Sequence, residues 1–469
     1  MPSPFLIAGE WVNSGDAVQI RSPYDGSVVG ETCWAGPREL ERAITVAAAN
    51  RHELQRLDDA ERSTICRKIS AAIRGRFEEF ARTIALEAGK PMKSAHVEVE
   101  RAIFTFALAA DEALKVEERI DVSLPAPQPA RKGRVRKFPA GPVAAITPFN
   151  FPLNLVAHKL APAIAVGCPV VLKPAPQTPL TALLLARLIV DAGLPKSALS
   201  VLPLRNEHAT PLVADDRISV LSFTGSAAVG WDLKKRAGKK RVLLELGGNA
   251  AVIVHSDADL ELAATQCAVG GFSYAGQSCI SVQRILVAKE KHGEFIERLI
   301  PKVKALKCGD PLDEQVDVGP SIRESDAVRV EEWIAEAVRG GARVLCGGKR
   351  SGSLVEPAVL TGTRPEQKVN CEEAFGPLVT VEPYATFAAA ISTANATRYG
   401  LQAGIFTNDQ VLIERAFREL EVGGVIVNDV PTFRSDAMPY GGIKDSGLGR
   451  EGVRYAIAEM SDLKVLVQP

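Results

Sequence analysis

The stretch ISVLSFTGSAAVGWDLKKRAGKKRVLLELGG, residues 218–248, contains two apolar runs separated by a helical pattern. The runs ISVLSF (218–223) and RVLLEL (241–246) are short and continuously apolar, which is typical of strands buried on both faces of a sheet. A strand, a helix and a second strand in this order predict a β-α-β unit with parallel strands and a right-handed crossover.

The same alternation extends to both sides of this stretch. Upstream, the short apolar runs are PVAAIT (142–147), PVVLK (169–173) and ALSVL (198–202). After residue 248 the pattern restarts, with the runs AAVIVH (250–255), VQRILVA (282–288), PLVTVEPY (377–384), QAGIFT (402–407) and GGVIVN (423–428). The chain is therefore predicted to contain two parallel-sheet α/β units that join near Gly247 and Gly248.

Two segments fit neither unit. IDVSLPAPQPARKGRVRKFP (120–139) is rich in proline and basic residues, and LKVLVQP (463–469) has the pattern of a short apolar strand. Strands with open edges require a partner, which either the same chain or another subunit supplies. The alternative is a surface hairpin and a tail that pack on their own chain.

Composition excludes several classes of function. The 469 residues include 56 Lys and Arg and 56 Asp and Glu, so the formal net charge is zero. No nucleic-acid partner is expected, because neutralising phosphates requires a basic excess. No apolar run approaches the roughly 20 residues that span a bilayer, and the first residues lack a secretory pattern. The sequence therefore predicts a cytoplasmic protein without a membrane partner.

One cysteine differs from the others in its surroundings. The eight cysteines form no C-x-x-C pair and the six histidines show no zinc-ligand spacing, so we expect reduced thiols and no metal. Cys279, however, lies in GFSYAGQSCIS (271–281), with small residues on its N-terminal side. A glycine there lets the backbone turn sharply and lets another molecule approach. The other seven cysteines are interpreted as small buried apolar residues.

Two glycine patterns are candidates for binding a dinucleotide. GLGREG (447–452) matches G-x-G-x-x-G, but it does not open the helix of a β-α-β unit, as a true fingerprint does. SFTGSAAVG (222–230) follows a predicted strand and opens a predicted helix, with Gly225 and Gly230 on either side of Ser226. Backbone N–H groups and a hydroxyl at a helix N-terminus suit a pyrophosphate. Glycine at such a turn also occurs without any ligand.

Two further polar residues follow predicted strands. Asn150 lies between the prolines of PFNFP (148–152), in a rigid loop at the edge where ligands meet a parallel sheet. It is either a ligand-binding amide or the cap of the next helix. Glu245 ends a strand in LLELGGN (243–249), and it is either a buried, paired structural carboxylate or a base with an adjusted pKa.

Taken together, these motifs are specific. The motifs that matter, in chain order, are PFNFP, LKPAPQTP, FTGS, LELGGN, GQSC, EEAFGP and MPYGGIKDSGLGREG. In order and spacing the chain resembles the aldehyde dehydrogenase superfamily over essentially its whole length. The resemblance implies the aldehyde dehydrogenase fold, with two Rossmann-like α/β domains and a small β extension for oligomerisation. The implied division is a nucleotide-binding domain at 1–117 and 137–246, a catalytic domain at 247–440, and an oligomerisation segment at 118–136 and 441–469.

The resemblance also implies a mechanism. Cys279 would attack the aldehyde carbon, and the small residues Ala275, Gly276 and Ser278 would leave room for the substrate and the nicotinamide. The amide of Asn150 and the backbone N–H of Cys279 would hold the oxyanion. Hydride transfer would leave a thioester on Cys279, and Glu245 would activate the water that hydrolyses it.

The implied cofactor is NAD or NADP. By resemblance the cofactor-binding residues are Thr147, Pro148, Phe149, Lys173, Gly225, Ser226, Gly230, Leu246, Glu373 and Phe375. Relatives that prefer NAD often place a glutamate three residues after the lysine, where it pairs with the ribose hydroxyls and repels a 2′-phosphate. This chain has Pro176 there, so NADP is favoured and NAD is expected to be usable.

The substrate is less defined by the motifs. NDVPTFRSDAMPYGGIKDSG (428–447) and GQSCISVQR (276–284) look most like the branch of lactaldehyde dehydrogenases and non-phosphorylating glyceraldehyde-3-phosphate dehydrogenases. Arg101, Arg434 and His158 are cations that would reach the far end of a substrate, unless they are ordinary salt-bridged groups. Some relatives that bind a phosphorylated aldehyde have arginine just before the nucleophile, where this chain has Ser278. A small polar aldehyde such as lactaldehyde, glycolaldehyde or a semialdehyde is therefore predicted.

Two alternative functions are a CoA-acylating aldehyde dehydrogenase and a non-enzymatic protein of the same fold. A CoA-acylating relative would intercept the thioester with a thiol, but such enzymes typically lack the glutamate that corresponds to Glu245. A non-enzymatic protein of the same fold is disfavoured by the presence of Asn150, Glu245 and Cys279 together. As partners, the resemblance implies a small aldehyde and other copies of this chain, in a homodimer or homotetramer.

Overall fold

The structure, a computed structural model, describes residues 2–122 and 131–469. The strands are β1 (Phe5–Ile7), β2 (Glu10–Val12), β3 (Ala17–Arg21), β4 (Val28–Cys33), β5 (Glu117–Asp121), β6 (Lys132–Pro139), β7 (Val143–Ile146), β8 (Val170–Lys173), β9 (Leu199–Val201), β10 (Val220–Thr224), β11 (Arg241–Glu245), β12 (Ala250–Val254), β13 (Val282–Ala288), β14 (Arg343–Cys346), β15 (Arg350–Ser351), β16 (Leu354–Val355), β17 (Ala358–Thr361), β18 (Leu378–Tyr384), β19 (Tyr399–Gly400), β20 (Gln402–Phe406), β21 (Gly424–Val427), β22 (Ile443–Lys444), β23 (Gly447–Leu448) and β24 (Ser461–Gln468). The helices are α1 (Pro37–Ala49), α2 (Asp59–Gly75), α3 (Phe77–Ala88), α4 (Met92–Ala113), α5 (Asn154–Val166), α6 (Pro179–Asp191), α7 (Thr210–Ala214), α8 (Ala227–Arg236), α9 (Leu260–Phe272), α10 (His292–Lys304), α11 (Glu324–Arg339), α12 (Lys368–Cys371), α13 (Phe387–Asn395), α14 (Gln410–Glu419) and α15 (Val453–Glu459).

The first sheet confirms the β-α-β unit predicted for residues 218–248. Its strand order is β2-β1-β9-β8-β7-β10-β11-β23, and the five strands from β9 to β11 are parallel. β10 and β11 pair directly, with Thr224 opposite Glu245, and α8 connects them. Their inner residues are fully buried, which explains the continuously apolar runs.

The second sheet confirms the second predicted unit. Its order is β14-β17-β18-β13-β12-β20-β21, and every pairing is parallel except that of the edge strand β14. The chain passes from the first sheet to the second between β11 and β12, at the predicted junction around residues 247–248. The two sheets have separate apolar cores. None of the described helices is both long and apolar enough to cross a membrane.

The segments that fitted neither unit form a small antiparallel sheet. β6 lies in its centre, with β24 on one side and β5 on the other, so the two segments find a partner in the same chain. Residues 123–130 of the predicted oligomerisation segment lie outside the described residues. Residues 447–459 of that segment do not take part in the small sheet. β23 instead extends the first sheet, and the buried side chains of α15 join the first core next to α5.

One buried carboxylate positions the helix that follows the PFNFP loop. Glu98, on α4, accepts hydrogen bonds at Oε1 from the N–H groups of Leu153 (2.8 Å) and Asn154 (3.1 Å), at the N-terminus of α5. Its Oε2 pairs with Nζ of Lys90 at 2.5 Å. A carboxylate at a helix N-terminus satisfies otherwise unpaired N–H groups and interacts favourably with the helix dipole. Glu98 therefore caps α5, and Asn150 is left for another role.

Candidate active site

A cavity of about 800 Å³ opens between the carboxyl ends of β7, β10 and β11 in the first sheet and the amino ends of β12, β13 and β18 in the second. Loops after β7, β10 and β11 line it from the first sheet, and the loop before β13 and the loops after α12 and β21 line it from the second. The carboxyl edge of a parallel sheet is the usual ligand site of α/β proteins. Most of the candidate residues from the sequence analysis lie on this lining: Arg101, Pro148, Phe149, Asn150, Gly225, Ser226, Glu245, Leu246, Ser278, Cys279, Glu373, Phe375 and Arg434.

Cys279 lies at the end of a tightly turned loop. Tyr274 and Ala275 have φ of 50° and 52°, and the loop ends close to the sulfur of Cys279, which contacts the hydroxyl of Tyr440 at 3.1 Å. The structure corrects the role expected for Ala275 and Gly276. Both are buried outside the cavity lining, and a Cβ on Gly276 would lie 2.3 Å from the carbonyl oxygen of Gly376. The glycine is required by contact between two loops, and only Ser278 faces the cavity.

The thiol of Cys279 is protonated in its resting environment. Burial raises its pKa to about 12, and the negative charges of Glu373 and Glu245 act in the same direction. The hydrogen bond with Tyr440 and the charge of Arg434 oppose this shift. Since the thiolate is the nucleophilic form, a nearby base has to take the proton.

Glu245 is placed to be such a base. It ends β11, only 4% of it is exposed, and its Oε2 has no hydrogen-bond partner among the described residues. Burial and the charge of Glu451 raise its pKa well above the usual carboxyl range, although Arg434, Lys159 and Arg450 oppose the shift. The interpretation of Glu245 as a paired structural carboxylate is therefore not supported. A carboxyl of this kind exchanges protons much nearer to neutral pH.

Glu451 shows the opposite behaviour in the same environment. It is also buried, which would raise its pKa, but Lys159 and Arg434 lower the pKa to about 2. Nζ of Lys159 lies 3.3 Å from Oε1, and Nη2 of Arg434 lies 2.8 Å from Oε2. The pKa values of these two neighbouring carboxyls are thus shifted in opposite directions. Glu451 stays charged while Glu245 can titrate, which is a common arrangement for acid–base chemistry.

Asn150 faces the cavity from the first sheet. Its Nδ2 donates to the carbonyl of Gln277 at 3.0 Å, which ties its loop to the loop that carries Cys279. Its Oδ1 is buried and has no partner among residues 2–122 and 131–469. The alternative role as a helix cap does not hold, because Glu98 caps α5. The second amide hydrogen of Asn150 remains available to an oxygen in the cavity.

The residues that line this part of the cavity are suited to binding a dinucleotide. Ser226 is the N-cap of α8, and its hydroxyl makes no capping hydrogen bond to the helix. Burial raises the pKa of Glu373 to about 7, and its Oε1 accepts the N–H of Gly248 at 2.9 Å. The rings of Phe149 and Phe375 meet edge to face, 5.9 Å apart. A helix N-terminus suits phosphate oxygens and the two rings offer an apolar wall, so a dinucleotide fits this part of the cavity.

Three of the predicted cofactor residues do not line this cavity. Nζ of Lys173 donates to Oδ1 of Asn206 at 2.9 Å, and burial lowers its pKa to about 8. Thr147 is buried with its hydroxyl unpaired among the described residues. Gly230 faces Leu246, whose Cδ2 would lie 2.3 Å from an added Cβ, so this glycine allows α8 to approach the strand end. Their cofactor roles stay predictions.

Arg101 lines the far part of the cavity and is held by a buried carboxylate. Asp436 is 3% exposed and accepts from Nε and Nη2 of Arg101 at 3.1 and 2.7 Å. The same carboxylate bonds Nδ2 of Asn154 at 3.2 Å and Nε2 of His158 at 2.7 Å. Although burial opposes it, hydrogen bonds from His158 and Arg101 hold the pKa of Asp436 well below its usual range. The side chain of Arg101 is 22% exposed.

His158 lies away from the cavity. Of its two interpretations, a cation that reaches the substrate or an ordinary salt-bridged group, the geometry agrees with the second, because its side chain is completely buried against Asp436 and outside the cavity lining. Burial and the charge of Arg434 lower its pKa. Asn154 and Leu155, at the start of α5, line the cavity, whereas His158 lies one turn further along this buried helix.

Arg434 does reach the cavity. Its side chain is 6% exposed, it pairs with Glu451, and its guanidinium lies 3.7 Å from the centroid of the Tyr440 ring. Its Nε is buried and finds no acceptor within the described part of the chain. Sequence reasoning missed Tyr440, Glu451 and Asp436. All three belong to the stretch RSDAMPYGGIKDSGLGRE (434–451), whose polar residues could have signalled a buried network.

Comparison with known proteins agrees with this geometry. The model of the aldehyde dehydrogenase family matches residues 11–466. A curated 3-sulfolactaldehyde dehydrogenase of Priestia megaterium is 43% identical over 463 residues, which cover 98% of this chain and 97% of that protein. The chain therefore belongs to the aldehyde dehydrogenase family, as the resemblance implied, and it is an NAD(P)-dependent aldehyde dehydrogenase.

Two solved structures are similar over nearly the full length. One is aldehyde dehydrogenase 21 from Physcomitrella patens in complex with the reaction product succinate, with a TM-score of 0.97, 43% identity, and coverage of 100% of this chain and 98% of that chain. The other is glyceraldehyde-3-phosphate dehydrogenase GapN from Methanocaldococcus jannaschii complexed with NADP, with a TM-score of 0.92, 40% identity, and coverage of 96% and 98%. The expected fold is confirmed.

Proposed function

We propose that this enzyme oxidises a short polar aldehyde that carries an anionic group to the corresponding carboxylic acid. The observation that carries the proposal is that Arg101 and Arg434 line the same cavity as Cys279. The buried, unpaired Nε of Arg434 offers a donor to an anionic oxygen. The similar proteins support this choice, since the names of two include sulfolactaldehyde and glyceraldehyde-3-phosphate, and the third holds succinate.

In the first step Sγ of Cys279 bonds to the aldehyde carbon. Its proton passes to Glu245, whose carboxyl is in the same cavity and has a raised pKa. The carbonyl π electrons move to oxygen, and the oxyanion accepts hydrogen bonds from Nδ2 of Asn150 and the N–H of Cys279. Such preorganised donors are worth roughly 10²–10³ in rate.

NAD(P)⁺, when bound, would supply the hydride acceptor. Loss of the hydride from the substrate carbon converts the adduct into a thioester with Sγ of Cys279. Glu245, after releasing to solvent the proton that it took from the thiol, then takes a proton from a water molecule, whose oxygen attacks the thioester carbon. The C–S bond breaks and the acid is released, with Cys279 restored. The unpaired Oε2 of Glu245 is suited to accept that proton.

The chain's own residues would hold the cofactor from the loop after β10 in the first sheet to the loop after α12 in the second. Ser226 and the N-terminus of α8 are suited to the pyrophosphate, Glu373 to the ribose of the nicotinamide, and Phe375 to its ring. NAD or NADP is expected, with NADP favoured. Pro176 follows Lys173 by three residues and offers neither hydrogen bonds to the ribose hydroxyls nor repulsion of a 2′-phosphate.

The small sheet supports a proposal about assembly. β24 runs along the surface with nearly every residue exposed, and its apolar side chains Leu463, Val465 and Leu466 are 70%, 52% and 42% exposed. We infer that this strand contacts another copy of the chain in a homodimer or homotetramer. We also propose that the chain is divided into a nucleotide-binding domain, a catalytic domain and this extension, as the resemblance implies. A cytoplasmic location stays a prediction.

The test is NAD(P)H formation with a panel of aldehydes. Sulfolactaldehyde and succinic semialdehyde are compared with lactaldehyde, which lacks the terminal anion, and with hexanal and benzaldehyde. We expect the anionic aldehydes to show the highest kcat/KM, with free acid as the product whether or not CoA is present. Equal or higher kcat/KM for the apolar aldehydes contradicts the substrate proposal, and CoA-dependent turnover contradicts release of the acid.

A further inference from the structure

Tyr440 lies against the reacting sulfur, and no step described above uses it. Its hydroxyl is 3.1 Å from Sγ of Cys279, and it is 2% exposed. Two backbone hydrogen bonds fix its position, from its N–H to the carbonyl of Glu451 (3.0 Å) and from the N–H of Glu451 to its carbonyl (2.7 Å). The phenol is therefore held in place before any substrate binds.

A cation lies on the face of the Tyr440 ring. The guanidinium carbon of Arg434 is 3.7 Å from the ring centroid, and Nη2 of Arg434 is anchored on Glu451 at 2.8 Å. A cation at this distance is attracted by the electron density of the ring face. It withdraws density from the ring and makes the O–H of the phenol a stronger hydrogen-bond donor.

We propose that Tyr440 is a further catalytic residue, whose hydroxyl donates a hydrogen bond to the Cys279 thiolate while Arg434 strengthens that donor through the ring. The inference rests on the proposed role of Cys279 as the nucleophile. No covalent bond to Tyr440 forms or breaks. The proton of the thiol goes to Glu245, and Tyr440 keeps its own proton.

The charges around the sulfur explain why a neutral donor is useful. Glu245 and Glu373 face Cys279 and disfavour the thiolate, whereas Arg434 favours it. A lysine beside the sulfur would pair with Glu245 and hold the base in its charged form. A phenol stabilises the thiolate without adding a charge, and burial keeps the pKa of Tyr440 well above its usual value, so the phenol stays protonated.

In the resting enzyme either group can be the donor, because the thiol and the phenol each carry a hydrogen. The two arrangements differ in their effect on the thiol. A phenol that donates to sulfur lowers the pKa of Cys279, while a phenol that accepts from the S–H raises it. The direction of the change on removing the hydroxyl therefore decides between them.

The experiment is the pH dependence of alkylation of Cys279 by iodoacetamide, in enzyme without cofactor, for wild type and Tyr440→Phe. Peptide mass spectrometry identifies the modified residue. Because burial already raises the pKa of Cys279 to about 12, rates are compared at fixed pH values between about 7 and 10, where a rise of about one pH unit in the midpoint is expected to slow alkylation about tenfold. Tyr384→Phe is the matched control, because its hydroxyl bonds His255 outside the cavity, and we expect it to leave the midpoint unchanged.

A second measurement protects the test against a poorly folded variant. Replacing Tyr440 alone with 3-fluorotyrosine keeps the ring and makes the phenol a stronger donor, so we expect the midpoint for Cys279 to fall. An unchanged or opposite shift in either variant overturns the role of Tyr440. Failure of the proposed function has a different signature, namely oxidation that survives in Cys279→Ala whatever residue stands at position 440.

Discussion

The cavity around Cys279 and the three-stranded sheet formed by β24, β6 and β5 are both incomplete within a single chain, in opposite ways. In the cavity, buried polar atoms have no partner among the described residues: Oδ1 of Asn150, Oε2 of Glu245 and Nε of Arg434. In the sheet, apolar side chains face solvent, with Leu463 70% and Val465 52% exposed. The first region is short of hydrogen-bond partners and the second is short of apolar contact.

The difference identifies the kind of partner that each region lacks. An unpaired buried polar atom costs about 1–3 kcal/mol, so three of them close together are retained where a small polar ligand can satisfy them. Exposed apolar side chains in a row on one strand are instead satisfied by another protein surface. Changes in the cavity should therefore alter chemistry at constant assembly, and changes in the sheet should alter assembly.

The largest expected effect is that of Cys279→Ala. Without the sulfur no covalent adduct forms, so we expect kcat to fall by roughly 10⁴ or more, with cofactor binding still measurable by protein fluorescence. Cys308→Ala serves as the control and should leave kcat unchanged, because this cysteine lies outside the cavity. The sequence analysis interpreted Cys308 as buried, but the structure shows it exposed. Substantial turnover in Cys279→Ala would break the assignment of the cavity as the reacting site.

Glu245→Gln should have the next largest effect. We expect kcat to fall by roughly 10²–10³ and an acyl adduct on Cys279 to accumulate, visible by mass spectrometry of the intact protein. In the wild type the raised pKa keeps Glu245 protonated at low pH, so activity should rise with pH as the base form appears, above the usual carboxyl range. This rise of activity with pH should be absent from Glu245→Gln. If the variant still shows it, another group is the base.

A smaller effect is expected at the adenosine end of the cofactor. Nζ of Lys173 already donates to Oδ1 of Asn206. Pro176→Glu should reduce kcat/KM for NADP relative to NAD by roughly ten- to a hundredfold, because the carboxylate repels a 2′-phosphate. Comparing both cofactors in both proteins provides the internal control. A ratio that does not change would show that another residue selects the cofactor.

The smallest expected effect on chemistry comes from the sheet. Leu463→Asp together with Val465→Asp places two charges on β24, and we expect sedimentation velocity to show dissociation to smaller species. Turnover per chain should change far less than in the cavity variants. Val344→Asp, at an exposed apolar side chain on β14, is the control and should leave the mass unchanged. A wild-type protein that sediments as a monomer would refute the assembly proposal.

The fold was predictable from local pattern because its strands are buried on both faces. Runs such as 218–223 and 241–246 are mostly apolar, and this property does not depend on knowing the neighbours of the strand. Glu245 and Cys279 were found for a related reason. A charged or nucleophilic residue next to glycines at a strand end stands out in the sequence itself.

The rest of the site depends on contacts between distant parts of the chain. Asp436 and Arg101 are 335 residues apart, and Lys159 and Glu451 are 292 apart, so no local pattern indicates these pairs. The same limitation explains His158, which looked like a cation near the substrate. Its environment is set by Asp436, and only the folded structure shows that the two are in contact.

The four hydrogen bonds accepted by Asp436 have a consequence for how the enzyme could evolve. Loss of Arg101 alone would leave a buried carboxylate short of its main counter-charge, at a cost of about 3–5 kcal/mol. A lineage drifting from anionic to neutral aldehydes would have to change residues 101 and 436 together, or lose stability on the way. The proposed selectivity for anionic aldehydes would therefore depend on a linked pair of positions, and single mutations should rarely remove it.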